Sequence, residues 1–207
     1  MEAFMFDLGL QIWGGMCYLL NKICFSKAER SKRDALKRTW RIRSWSVYLA
    51  GVPAWVIVFI SKHNWIAAAV ESGGSPAMIM GLVNALRGRD KLPWWLDYIS
   101  RVSVGIGFML SVYDFGGIST IHQYLELGIA AGFLLGTYLL AIDNWIGYIF
   151  FMLGNVCCAA LMGMEGFYVL ACQQTLSLVF VTDACVTRLR VVNAENEAEQ
   201  PEELTEL

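Results

Sequence analysis

The sequence predicts an all-α fold, a polytopic membrane protein of seven transmembrane helices built as two parallel three-helix bundles plus a linking helix. Three observations predict it. Of the 207 residues, 57% are hydrophobic and only 16% charged, where a soluble domain carries about 25% charged residues. Mean hydropathy is +0.49, and the apolar residues fall in blocks near the roughly 20 residues that cross a bilayer. The basic residues crowd into a few short breaks between those blocks. A secreted or cytosolic globule is excluded on these grounds. The formal net charge of −2 also speaks against a nucleic-acid partner, so the expected surroundings are a lipid bilayer.

The spans follow from the apolar blocks and their interruptions. The first runs over about 4–25 and opens with Glu2 and Asp7 rather than a positive n-region, so it reads as a span and not as a cleavable signal peptide. Behind the basic break Ser26–Arg41 comes the second, 42–61, which contains Pro53. The third, 64–86, is interrupted by Gly73-Gly74-Ser75-Pro76, a sequence suited to a hinge. The fourth covers 94–113, after Arg87–Pro93, and its Asp97 and Arg101 stand i, i+4, close enough to pair. Asp114–Gly117 leads to the fifth, 119–142, and only Asp143 and Asn144 separate that from the sixth, 143–162. The seventh, 166–186, follows Gly163–Gly166. Glu195, Glu197, Glu199, Glu202, Glu203 and Glu206, with no aromatic residue among them, mark 191–207 as a disordered acidic tail behind a transmembrane domain of residues 1–190.

Orientation comes from the basic residues. Lys27, Arg30, Lys32, Arg33, Lys37, Arg38, Arg41 and Arg43 place the first loop in the cytoplasm. With seven spans, Arg87, Arg89 and Lys91, and then Arg188 and Arg190, fall on the same side, while Lys62 alone falls outside. The N-terminus is then periplasmic and the C-terminus cytoplasmic. An odd count also fixes the architecture: a second three-span unit of the same orientation needs one extra crossing before it. That gives repeat one at 4–86, a linker helix at 94–113 and repeat two at 119–186. A short match between Asn64–Ser72 and Gly166–Gln174, with Ala69 over Ala171 and Glu71 over Gln173, supports the division.

The six cysteines, Cys17, Cys24, Cys157, Cys158, Cys172 and Cys185, lie in or at the ends of apolar blocks without ligand spacing, so they read as small hydrophobic residues. Other polar residues are costly inside a bilayer and become site candidates. In the sixth span Trp145, Tyr148, Met152 and Asn155 recur at i, i+3, i+7 and i+10, one helical stripe that could stack a flat ring and hydrogen-bond a ribose. In the seventh, Gln173, Gln174 and Ser177 offer either of two pairs on one face, and the repeat favours Gln173. Glu71 in the third span has three readings: a proton or cation site, a protonated acid donating a hydrogen bond, or a hydrated carboxylate near the outer end. His122 and Glu126 read as a rim pair, and Gln11 and Asn84 carry no spacing argument. Gly128, Gly132, Gly136 and Gly154 serve either as hinges or as close-packing positions.

This layout resembles the SWEET sugar transporters and, more closely, the bacterial PnuC-type transporters of nicotinamide riboside and related vitamins. The residues that carry the likeness run from Asp143-Asn144-Trp145-Ile146-Gly147-Tyr148 through Asn155 to Met164-Glu165-Gly166-Phe167-Tyr168 and Gln173-Gln174. The likeness in layout covers nearly the whole chain, while its specific residues are confined to spans six and seven. In the family's pattern W-x-x-W-x-x-x-N, Tyr148 takes the second aromatic place and Met152 stands where the Asn belongs, with Asn155 beyond it. Nicotinamide riboside is the first expectation from the resemblance, and the departure opens the alternative of a paralogue moving another vitamin such as thiamine or riboflavin. The resemblance implies facilitated diffusion across a bacterial inner membrane by alternating access, with a small vitamin as the only partner besides lipid and with no cofactor or metal. An uncharged or cationic cargo is expected because no cluster of inward Arg or Lys stands out. Trp145, Tyr148, Asn155, Gln173 and Glu71 are the expected substrate contacts. A sugar transporter and a non-transporting membrane scaffold are the competing readings, and a homo-oligomer stays open. A membrane enzyme finds no Ser/His pair, ligand set or phosphate loop to stand on.

Overall fold

The computed structural model of the chain describes residues 2–63, 65–88, 92–114 and 120–199, and all regular structure among them is helical. Asn64, Arg89, Lys91, residues 115–117 of the expected break, and Glu202, Glu203 and Glu206 lie outside the described residues. Eight helices follow in chain order: α1 Glu2–Arg30, α2 Asp34–Ser61, α3 Trp65–Gly73, α4 Ser75–Arg87, α5 Trp94–Asp114, α6 Ile121–Ala141, α7 Ile146–Met164 and α8 Tyr168–Glu199. Four of them hold a stretch long and apolar enough to cross a membrane: Asp34–Ser61, Ile121–Ala141, Ile146–Met164 and Tyr168–Ala194.

Three boundaries differ from the sequence expectation, each for a physical reason. The basic break at 26–41 is almost wholly helical, because its Lys, Arg, Ala and Leu are good helix formers, and only Ser31–Arg33 turn between α1 and α2. The third span is two helices that meet at Gly74, where Pro76 near the start of α4 removes a backbone donor from the ladder. Residues 191–199, expected to be disordered, continue α8, since Glu and Ala favour helix and no proline intervenes before Pro201.

The other ends carry identifiable stops. Gly88 closes α4 at φ 88° and Gly166 follows α7 at φ 81°, left-handed positions that a side chain resists. Thr120 caps α6 in a reciprocal box with Gln123. At the α6–α7 corner Asp143 adopts φ 62°, and the Asn144 side-chain oxygen accepts from the Ile146 amide. These two residues do separate the two spans.

Each helix packs on its neighbour in chain order, and α1 also packs on α8, so the ring closes. Within it α2 touches both α1 and the α3/α4 pair, α7 touches both α6 and α8, and α5 lies against α3, α4 and α6. Polar contacts gather the C-terminal ends of α1, α4 and α6 and the middle of α8 with the N-terminal ends of α2 and α5 and the α6–α7 corner. Arg38 donates to the Ala85 and Leu86 carbonyls, Arg41 pairs with Asp143 at 2.5 Å, Tyr138 donates to Asp97 at 3.0 Å, and Arg30 pairs with Asp183. That end collects the basic residues. At the other end Lys62 meets Asp7 at 3.7 Å. The Asp97–Arg101 pair expected from spacing forms at 2.6 Å.

The core is aromatic. Phe25 meets Trp45 and Tyr148 edge to face, and Tyr48 meets Phe151 in the same way. Such pairs add about 0.5–1.5 kcal/mol each beyond their area burial. Large apolar side chains also cover the outside, among them Trp13, Trp94, Met109, Tyr113 and Val169. An apolar exterior of this extent is what a bilayer covers.

Candidate functional site

One face of α1 supplies most of the interior polar groups. Tyr18, Asn21, Lys22, Phe25 and Glu29 recur at helical spacing and point into the ring. Asn21 donates to the Ser44 hydroxyl and carbonyl at 2.8 and 3.1 Å, and Ser44 donates back to the Asn21 carbonyl at 3.0 Å. This closed exchange fixes α1 against α2.

Lys22 is 3% exposed. Its Nζ lies 3.6 Å from the ring centre of Phe151, 4.7 Å from that of Tyr48 and 5.8 Å from that of Phe133. Among the described residues no carboxylate comes within ion-pair distance of it. Aromatic faces stabilise an ammonium, but they leave its charge uncancelled. A single inward lysine is not the cluster that a phosphate would need, but it is a buried basic group that the sequence reading passed over.

Tyr48 and Phe133 also wall a cavity of about 90 Å³, together with Tyr18, Glu71, Gly74 and Thr137. Glu71 accepts a hydrogen bond from the Tyr18 hydroxyl, and the Tyr48 and Thr137 hydroxyls are 3.3 Å apart. The cavity touches the helix break at Gly74. A carboxyl group and three hydroxyl-bearing residues thus line one small space, and the Lys22 ammonium lies behind two of its ring walls. Together they can hydrogen-bond and counter-charge a small polar molecule.

A second cluster sits at the basic end. The Glu29 side chain, 1% exposed, pairs with Arg41 at 2.9 Å and Lys37 at 3.2 Å and accepts from the Tyr148 hydroxyl at 2.9 Å. Burial alone would raise this carboxyl's pKa. Arg41 and Lys37 outweigh burial, with hydrogen bonds from Arg41 and Tyr148, and hold it below the usual carboxylate range. Beside it opens a cleft of about 390 Å³ lined by Lys37, Arg38, Arg41, Arg87, Asn84 and Trp45, among others. The Trp45 ring stacks on Tyr48 with centres 6.3 Å apart, so α2 links the cleft to the inner cavity.

The five residues expected to meet substrate are dispersed. Glu71 lines the inner cavity. Tyr148 is buried, and its hydroxyl is bonded to Glu29 at the basic end. Trp145 precedes α7 and packs, half-buried, on the aromatic core. Asn155, also buried, donates to the Phe151 carbonyl of its own helix at 2.6 Å and leaves its Oδ1 without a partner. Gln173 donates to the Gly15 carbonyl at 2.7 Å and so fastens α8 to α1. The two positions matched by the repeat, Glu71 and Gln173, thus both reach α1, one turn apart.

Elsewhere Gln11 donates to Asp7, Asn84 donates to the Ala141 carbonyl, and His122 is exposed. All six cysteines are unpaired. Cys172 is exposed, while Cys17, Cys24, Cys157 and Cys185 are buried. The residues that sequence reasoning passed over are Tyr18, Lys22, Glu29, Tyr48 and Thr137. The period of Tyr18, Lys22, Phe25 and Glu29 was a usable signal, hidden by ending the first span at residue 25. No protein family, curated protein or solved structure matches the chain.

Proposed function

We propose that the chain is a seven-pass membrane transporter of a small, ring-bearing, vitamin-like solute, working by alternating access around the inner cavity. The observation that carries this reading is the ionisable interior: Glu71 lines one small space beside a broken helix, and Lys22 lies buried behind the Tyr48 and Phe133 rings that wall it. Charged groups are kept inside membrane helices where a polar molecule or ion must pass. A space of about 90 Å³ is well below the roughly 300–1,000 Å³ of ligand pockets, so on this reading the cavity must widen to admit the solute. The α3–α4 break at Gly74 is the natural point for opening.

The 3+1+3 division is favoured by the packing order. The sets α1, α2, α3/α4 and α6, α7, α8 each keep their middle helix against both others, run in the same sense, and are joined through α5. The basic residues at one end support a cytoplasmic placement of that end and of the C-terminus in a bacterial inner membrane. Nicotinamide riboside is the cargo that the sequence resemblance implies and the first to test, ahead of thiamine and riboflavin.

Uptake of these three labelled solutes by proteoliposomes holding the full chain tests the proposal. The expected result is saturable uptake of at least one, reduced by Glu71→Gln. A folded protein that moves none of them would overturn it, and a scaffold would then be the better reading.

A further inference from the structure

We infer that Lys22 is the counter-charge for an anionic group of the solute, so that the inner cavity takes a ring bearing a single carboxylate. The inference rests on the transport reading above and departs from the three solutes named there, none of which carries a carboxylate. A lysine 3% exposed with no ion-pair partner among the described residues lacks a counter-charge inside the ring. Its protonated form is costly in an apolar interior, the rings around it offset only part of that cost, and an anion beside it favours that form.

The neighbouring carboxyl, Glu71, is held by Tyr18, and no carboxylate lies within reach of Lys22 among the described residues. A ligand can supply the missing charge from the cavity side. Tyr48 and Phe133 belong both to the cage around Lys22 and to the cavity wall. Lysine's flexible four-carbon stem lets the ammonium pass from one side of Tyr48 to the other. Facing the same space, the Tyr48 and Thr137 hydroxyls supply further donors for a carboxylate. One ammonium balances one negative charge, and a carboxylate is smaller than a phosphate. The aromatic walls suit a flat ring attached to it.

The cleft at the basic end is the competing place for an anion. There Lys37 and Arg41 are already matched by Glu29 and Asp143, and Arg38 is bonded to carbonyls. Arg87, also at the cleft, is exposed to solvent, so the inner site is the one whose buried cation has no ion-pair partner among the described residues.

Equilibrium dialysis of the full chain in lipid nanodiscs, with labelled nicotinate and nicotinamide at neutral pH, tests the inference, since the two share a ring and differ by one negative charge. Nicotinate is expected to bind about thirtyfold more tightly, the scale on which a buried charge pair is lost when one partner is removed. Lys22→Met should abolish the preference and Lys22→Arg should keep it. Equal binding of the two, or a nicotinate preference that survives Lys22→Met, would overturn the inference, the latter by placing the anion at the basic end. If Lys22→Met does not fold, Thr137→Val decides: a reduced preference supports the site and an unchanged one overturns it. Saturable nicotinamide riboside uptake indifferent to Lys22→Met would overturn this inference and leave transport standing. Absence of both uptake and binding would overturn both.

Discussion

The α6–α7 seam and the inward face of α1 hold their neighbours by opposite means. Along α6 the glycines Gly128, Gly132 and Gly136 recur every four residues and bring α7 into backbone contact. A Cβ added at Gly132 would lie 2.5 Å from Gly154 Cα and 2.7 Å from the Phe150 carbonyl oxygen, and one at Gly136 would lie 2.5 Å from the Phe151 ring. The α1 face instead presents Tyr18, Asn21, Lys22 and Glu29, which reach hydrogen-bond or ion-pair partners on other helices or, for Lys22, aromatic faces. In a bilayer, where lipid is as apolar as a leucine, helices associate through close packing or through polar bonds. The first seam leaves no room for an added atom against backbone, whereas the second depends on the charges and hydrogen bonds its side chains exchange.

The largest expected effect comes from breaking the glycine seam. Gly132→Leu places a branched side chain where Gly154 backbone stands, and neither helix backbone can yield as a side chain would. We expect loss of the folded, monodisperse protein after detergent extraction. Gly132→Ala is milder, an overpacking cost of about 1–3 kcal/mol, read as a lowered thermal midpoint in the same detergent. A Gly132→Leu protein of unchanged stability would mean that α6 and α7 do not meet there.

Next in size is the charge on the α1 side. Glu29→Gln leaves Arg41 and Lys37 facing each other across a buried site without their shared countercharge, although Arg41 keeps Asp143. Removing one member of a buried ion pair costs about 3–5 kcal/mol, and the retained Asp143 contact places this variant at the lower end. The pH dependence follows from the sign of the shift. The folded carboxyl sits below its ordinary value, so its contribution is fully present above the unfolded value of about 4.3 and is lost as pH falls through the folded value. Stability of the parent chain should therefore fall more steeply than that of Glu29→Gln as pH drops below about 5. Parallel acid titrations of the two proteins would contradict the assignment.

These two regions were unequally legible. The glycine spacing on α6 stood in the sequence, and only the choice between hinge and close packing needed coordinates; the structure gives close packing at Gly132, Gly136 and Gly154. The corner at Asp143-Asn144 and the Asp97–Arg101 pair could also be read from local chemistry alone. The α1 face could not be read once its basic and acidic residues were assigned to a loop. Helix propensity carries α1 through Lys27–Arg30, and that extension turns Glu29 inward beneath Tyr148. Tyr148 was singled out for its ring. Its hydroxyl found a partner 119 residues away, a pairing that no local spacing encodes.

Tyr148→Phe probes the same junction with a smaller change. It removes one hydrogen bond to a charged acceptor that keeps two cationic partners, and it leaves the ring against Phe25 in place. Hydrogen bonds to charged groups contribute about 1.5–3 kcal/mol. With Arg41 and Lys37 retained, a loss near 1.5 kcal/mol is expected in urea or thermal unfolding. A loss equal to that of Glu29→Gln would mean that the hydroxyl, and not the cations, holds the carboxylate.

The smallest effect gives the sharpest control for the seam. Gly105 lies in the middle of α5, exposed, and a Cβ built there meets nothing within 4 Å. Alanine is the better helix former by about 0.8–1.0 kcal/mol, so Gly105→Ala should leave the thermal midpoint unchanged or raise it slightly, whereas Gly132→Ala lowers it. The same added methyl group then has opposite signs on two helices that pack against each other, because one glycine faces backbone and the other faces outward. Should Gly105→Ala prove as damaging as Gly132→Ala, the outer face of α5 must be covered. Cross-linking that traps a dimer in the parent chain and loses it in Gly105→Ala would identify a second copy as the cover.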